Sequence, residues 1–189
     1  MSEIDRSMTA AEIQERTARF SDLHTMSTAK DLDWVPQDAL DVIFARDLRP
    51  IIIEKTKNPF GDTAGIYGAG GTTMNISTMP PGQGPCLHSH DATYETFFVL
   101  EGTIEFRVGP NGEEAITLNK WDTFSCPPKV YRGFKNVGNT DAVLLTTITG
   151  PEDARDDVGV PPSVGEEVQS RFGEQVLGAF KKIATFRDA

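Results

Sequence analysis

Two of the chain's three histidines sit one residue apart, as His88-Ser89-His90, and a glutamate, Glu95, follows five residues after the second. In an extended strand, residues i and i+2 project to the same side, so the two imidazoles would point together. Glu95 lies beyond the Asp91-Ala92 turn region, on what the pattern makes the next strand, from where its carboxyl can face them. Two imidazole nitrogens and a carboxylate oxygen suit divalent iron, manganese, nickel, zinc or copper. A lone His-x-His pair is a weak sign, because histidines are common on half-buried strands. The glutamate and the glycines at fixed offsets around the pair strengthen it. Cys86 shares the strand parity of His88 and as a soft ligand could complete a zinc site, although a buried thiol acting as a small hydrophobe is the preferred reading. Tyr94 reads as structural, and His24 as an ordinary surface or half-buried histidine.

The elements that must position these groups are short strands. Ile51-Ile52-Ile53 is an apolar run, and Thr72–Met79 alternates. Thr96–Leu100 is strongly apolar, and Thr103–Val108 places Ile104, Phe106 and Val108 on one face with Thr103, Glu105 and Arg107 on the other. Ala142–Thr149 is a further β-branched run. Turn signals separate them at Pro80-Pro81-Gly82, Glu101-Gly102, Pro110-Asn111-Gly112 and Asn136–Asn139. Short strands at this spacing, with no helical pattern between them, predict an all-β sandwich or barrel and not a parallel βαβ sheet. Phe97, Val99, Ile104, Phe106 and Phe134 are expected to line the barrel and to make its cavity partly apolar.

The flanks differ. Residues 1–50 open on a helix-like stretch in which Thr9 and Glu12 stand at capping-box spacing and Ile13, Phe20 and Leu23 fall along one face. Residues 51–150 form the barrel region. In residues 151–189, Pro151–Gly165 reads as an exposed acidic loop. Val168, Phe172, Val176, Phe180 and Ile183 then recur at helical spacing and predict one C-terminal amphipathic helix packed on the barrel or on a second subunit. The chain has 189 residues and a net charge of −10, which fits one domain and disfavours a nucleic-acid partner. No apolar run reaches membrane-spanning length, and Met1–Arg6 lacks the apolar segment of a secretory signal. Two cysteines, Cys86 and Cys126, are too few for a disulfide framework, so a reducing cytoplasm is expected.

Gly82 to Gly102 reads G-x5-H-x-H-x4-E-x6-G and resembles the first motif of the cupin superfamily at every defined position. The resemblance covers the barrel region, not the flanks. It implies an all-β double-stranded β-helix, a jelly-roll-like barrel of the single-domain cupin kind, here with an N-terminal helical extension and a C-terminal helix. It also implies a metal ion held by His88, His90 and Glu95, and a homodimer. The second cupin motif maps onto Trp121–Asn136 with Pro127 and Asn136 in place, but Trp121 and Lys129 stand where glycine is usual. Arg132 stands where the family carries its last metal-binding histidine.

A guanidinium has no lone pair to offer a metal, and its charge opposes a nearby cation. Arg132 shares strand parity with Phe134 and Asn136, so it is expected to point inward. Two outcomes follow. Either a metal, iron by preference or manganese, nickel or zinc, is held by the 2-His-1-carboxylate trio while Arg132 binds an anionic substrate, or Arg132 pairs with Glu95 and replaces the metal's charge. The first is favoured, because paired imidazoles gain little without a ligand. The expected activity is a metal-dependent oxidoreductase of the dioxygenase type on a small organic, anionic or aromatic, substrate. The alternative is a non-catalytic small-ligand-binding or regulatory barrel, with or without a metal.

Overall fold

The computed structural model describes residues 7–26, 32–53, 64–68, 70–151 and 158–187. The chain opens with a short helix, α1 (Ala10–Glu15), closed at its start by the expected capping box: the Thr9 N–H donates to Glu12 at 2.7 Å and the Glu12 N–H donates to Thr9 Oγ1 at 3.2 Å. The helix is shorter than the apolar spacing suggested. Ile13 and Phe20 are exposed and only Leu23 is buried, so those three do not form one packed face. A second helix, α2 (Gln37–Ile43), leads into the strands.

The strands follow in chain order as β1 (Asp47–Ile53), β2 (Ile66–Tyr67), β3 (Thr72–Met79), β4 (Ser89–His90), β5 (Tyr94–Glu101), β6 (Thr103–Val108), β7 (Glu114–Asn119), β8 (Thr123–Cys126), β9 (Arg132–Asn136) and β10 (Ala142–Thr149). One sheet has the order β2-β1-β3-β10-β5-β8, and a second has the order β7-β6-β9. Both sheets give their inward residues to one apolar core. Met79, Phe97, Val99 and Leu144 come from the first sheet, while Ile104, Phe106, Leu118 and Phe134 come from the second. Alternation explains the register: Ile104 and Phe106 are fully buried, while Glu105 between them is half-buried and Arg107 after them is exposed. The expected all-β architecture is present.

Phe97, Val99, Ile104 and Phe106 do not line an open cavity, as had been expected, but pack into the core. Phe97 packs its ring against Phe106, Phe124 and Phe134 with centroids 4.8, 6.1 and 5.1 Å away, and this solid block fills one end of the fold. Of the residues expected to line it, Phe134 alone borders the open space.

Four turn positions are left-handed where the sequence motifs placed glycine or its replacements. Gly82 and Gly102 have φ of +80° and +84°, and Trp121 and Lys129 have φ of +76° and +64°. The two substituted residues therefore keep the backbone shape that glycine adopts freely, at a steric cost.

After β10 the chain departs from expectation. Residues 152–157 of the predicted acidic loop lie outside the described residues, but the next three form a strand, β11 (Val158–Val160), whose last two residues are buried. β11 pairs antiparallel with β4 and parallel with a final strand, β12 (Thr185–Phe186). The expected single C-terminal helix is two: α3 (Pro162–Phe172) and α4 (Glu174–Phe180). Gly173, with φ of +88°, separates them, because a left-handed residue ends the helical hydrogen-bond run. Val168, Val176 and Phe180 pack against Leu32, Val35, Ala39 and Leu40 of the N-terminal flank. Phe172 and Ile183 of the same stripe are partly buried against that cluster. No helix among the described residues is long and apolar enough to cross a membrane.

Candidate metal centre

β4 is only two residues long, and it exists because its neighbours supply the bonds. His88 just before it forms a reciprocal pair with Arg132: the His88 N–H donates to the Arg132 carbonyl at 2.9 Å, and the Arg132 N–H returns the bond at 2.8 Å. His90 is held on its other side by Val158 of β11. Strand parity then sends both imidazoles the same way, as the spacing predicted, with ring centroids 5.6 Å apart. Glu95 faces them from β5, where it is registered with Cys126 and Ile148. Its Oε2 lies 3.6 Å from His88 Nε2 and 3.7 Å from His90 Nε2. The three candidate ligand atoms lie within 4.8 Å of one another, a potential His-His-Glu metal site.

The tautomer of His88 follows from its second nitrogen. Nδ1 lies 2.8 Å from the Cys86 carbonyl, which can only accept, so Nδ1 carries the proton. Burial, with the charge of Arg132 adding to it, pushes the His88 pKa below the usual histidine value. The neutral ring therefore turns an unprotonated Nε2 toward the other two groups, the state a metal ligand needs.

Arg132 dominates the electrostatics. It is fully buried and places Nε and Nη2 on Glu95 Oε2 at 2.8 and 2.5 Å, while Nη1 reaches the carbonyls of His88 and Val130 at 3.4 Å. Burial alone would raise the Glu95 carboxyl, but the charge of Arg132, with His90 and His88, overrides it and holds that carboxyl well below the usual range. Arg132 is not among the residues that border the cavity. The residues fit a divalent ion in donor type, tautomer and convergence. They fit it less tightly than an unpaired trio would, because the guanidinium already neutralises the one carboxylate.

The trio sits in the wall of a cavity of about 110 Å³. The apolar walls come largely from outside the two main sheets: Met26 and Phe44 from the N-terminal flank, Val158, Val160 and Ile183 from the C-terminal one. A polar patch faces inward from the first sheet, made of Asn75, Ser77 and Thr146. Asn75 and Thr146 are direct cross-strand partners, and Ser77 is two residues from Asn75 on the same face. The sequence reading passed over this patch. Its signal was there, since Asn75 and Ser77 share inward parity with Met79 in an otherwise ordinary strand. Cys86 borders the cavity but stands outside the ligand cluster, and burial pushes its thiol up to about 12. His24 and Tyr94 are exposed.

Residues 75–148 match the family model of the cupin domain. No curated protein matches the chain. Among solved structures, a cupin domain of Schizosaccharomyces pombe Cnp3 is 19% identical over 55% of this chain and 65% of its own, with a TM-score of 0.42. A predicted oxalate decarboxylase from Thermotoga maritima is 25% identical over 42% of this chain and 66% of its own, with a TM-score of 0.39. KdgF from a Halomonas species is 14% identical over 56% of this chain and 82% of its own, with a TM-score of 0.43. The chain thus spans just under two thirds of the first two.

Proposed function

We propose that this chain, which carries a cupin domain over residues 75–148, holds one divalent transition metal through His88, His90 and Glu95 and acts as an enzyme on a small organic substrate. Iron is the preferred metal and a dioxygenase-type oxidation the preferred reaction, by the chemistry of a 2-His-1-carboxylate donor set. The observation that carries the reading is the approach of both Nε2 atoms to Glu95 Oε2, at 3.6 and 3.7 Å, beside an apolar cavity.

When bound, the ion would supply Lewis acidity and a template for the substrate. The protein's own groups do the rest. The Cys86 carbonyl fixes the His88 ring and tautomer. Arg132 positions Glu95 and tempers its charge. The flanking segments, with β11 laid on β4, supply much of the apolar wall beside the trio. Arg132, expected from the sequence to bind an anionic substrate, in this arrangement also positions the carboxylate of Glu95. Elemental analysis of freshly purified protein tests the proposal: about one equivalent of metal supports it, and none, together with no response to added Fe(II), Mn(II), Ni(II) or Zn(II), defeats it.

One observation favours a second reading. The Arg132–Glu95 pair neutralises the carboxylate without any ion, which suits a metal-free, non-catalytic barrel that binds a small ligand. Oxygen-dependent turnover in the presence of Fe(II) separates the two readings. Association into a homodimer belongs to the proposal as well, and gel filtration at two concentrations measures it.

A further inference from the structure

Arg187 and Asp91 stand 96 residues apart, yet their side chains form an ion pair, and Asp91 directly follows the candidate ligand His90. The path between them is shaped for it. β11 pairs Gly159 with Ser89 on one edge and with Thr185 of β12 on the other, so Gly159 lies between the strand leading to Arg187 and the strand of His90. A Cβ on Gly159 would come within 2.7 Å of Arg187 Nε and 2.9 Å of its Nη2, so the missing side chain is what lets the guanidinium cross β11. The same Cβ would meet Ser89 Oγ at 2.7 Å. Ser89 faces away from the two imidazoles by strand parity, so the arginine runs along the back of β4. The backbone of Arg187 is tied on both sides: its N–H donates to the Val160 carbonyl at 2.8 Å, and its carbonyl accepts from the Tyr131 hydroxyl at 3.0 Å.

We infer that Arg187 is a positioning residue for His90: through Asp91 it clamps β4 from behind and keeps the His90 imidazole turned toward Glu95. A two-residue strand makes few bonds of its own, so its neighbours decide where its side chains point. With the two side chains 34% and 37% exposed, the pair adds little to the stability of the whole fold. Its effect is local, at the residue next to the ligand. Outer groups that fix the orientation of a metal ligand govern affinity without touching the ion. The inference rests on reading the trio as a metal site, and it names what holds His90, not what His90 binds.

Co(II), whose visible absorption reports its coordination geometry, serves as the probe in titrations of metal-stripped protein. Arg187→Met, which keeps the stem and removes the charge, should bind Co(II) about tenfold more weakly than wild type, with an altered spectrum. Asp91→Ala should do the same, and the double variant should lose no more than either single one, because one pair carries both effects. Arg187→Lys, with the charge kept and a shorter reach, should fall between. Tm should shift by no more than about 4 °C. Hydrogen exchange of the metal-free protein gives a second reading: the amides of Ser89–Asp91 should exchange about fivefold faster in Arg187→Met, with those of β6 unchanged. Wild-type affinity in either single variant, additive losses in the double, a larger Tm shift, or unaltered exchange in β4 overturns the inference. A wild type that takes up no Co(II) defeats the metal reading alone, and the exchange comparison then decides the clamp. Should Arg187→Met fail to fold, Asp91→Asn replaces it in both measurements.

Discussion

Arg132 directs two N–H groups, Nε and Nη2, at the same oxygen of Glu95, and that oxygen is the one both imidazoles approach. The contact sets the charge at the centre of the site. A unit charge about 4 Å from another at an effective dielectric near 20 contributes roughly 4 kcal/mol, so a guanidinium beside a dication weakens metal binding substantially.

Replacing that arginine should reveal the effect. Arg132→His removes the opposing charge and adds a ligand, and metal affinity should rise more than tenfold, read by calorimetric titration of stripped protein. Arg132→Met leaves Glu95 buried and unpaired, so the metal-free variant should lose about 3–5 kcal/mol in urea unfolding. Added metal should restore much of that loss. An unchanged affinity in both variants would mean that the Arg132 charge is not felt at the site.

Acid should destabilise the metal-free protein in two stages. The unfolded chain protonates histidine near pH 6.5, while folded His88 resists because its pKa is lowered, so stability begins to fall below about 6.5. Glu95 is likewise depressed in the fold. Its contribution is complete above the unfolded value of about 4.3 and drains away as pH drops beneath it. Urea midpoints between pH 2 and 8 measure this. Glu95→Gln should flatten the acidic limb; a wild-type protein that gains stability on acidification would contradict the assignment.

The left-handed turns give a stability test of the backbone. Lys129 adopts φ of +64°, and its backbone N–H donates to the His90 carbonyl at 2.7 Å. Lys129→Gly should stabilise the fold by about 0.5–1 kcal/mol, the steric relief less the added freedom of the unfolded chain. Gly102→Ala should do the reverse, because a Cβ there would lie 2.8 Å from that of Ala142. Thermal melts read both.

The aromatic block should matter to the fold and not to the cavity. Phe97 is fully buried and does not border the open space. Phe97→Ala should lower stability by about 3–5 kcal/mol with metal stoichiometry unchanged in the folded fraction. An altered stoichiometry would tie the block to the site.

Much of this was legible before any coordinates. Thr72–Met79, Thr103–Val108 and Ala142–Thr149 are strands with the limits their alternation sets, because one face of each meets a shared core. β7 escaped notice since only Leu118 of its residues is buried, and an edge strand with one inward anchor has no period to read. The split at Gly173 was hidden by apolar residues that keep step across it. For the site, parity sufficed to place His88, His90 and Glu95 together and to turn Arg132 inward. Sequence could not choose the partner of Arg132, a matter of a few tenths of a nanometre between strands 37 residues apart. Nor could it show that Met26 and Ile183, at opposite ends of the chain, wall the same cavity.

Calorimetric titration of metal-stripped protein with Zn(II), Mn(II) and, without oxygen, Fe(II) bears most directly on the trio. One site per chain is expected for wild type, abolished in His88→Ala and in His90→Ala while both variants stay folded. A flat titration with all three ions, or uptake that persists in both alanine variants, would contradict the account.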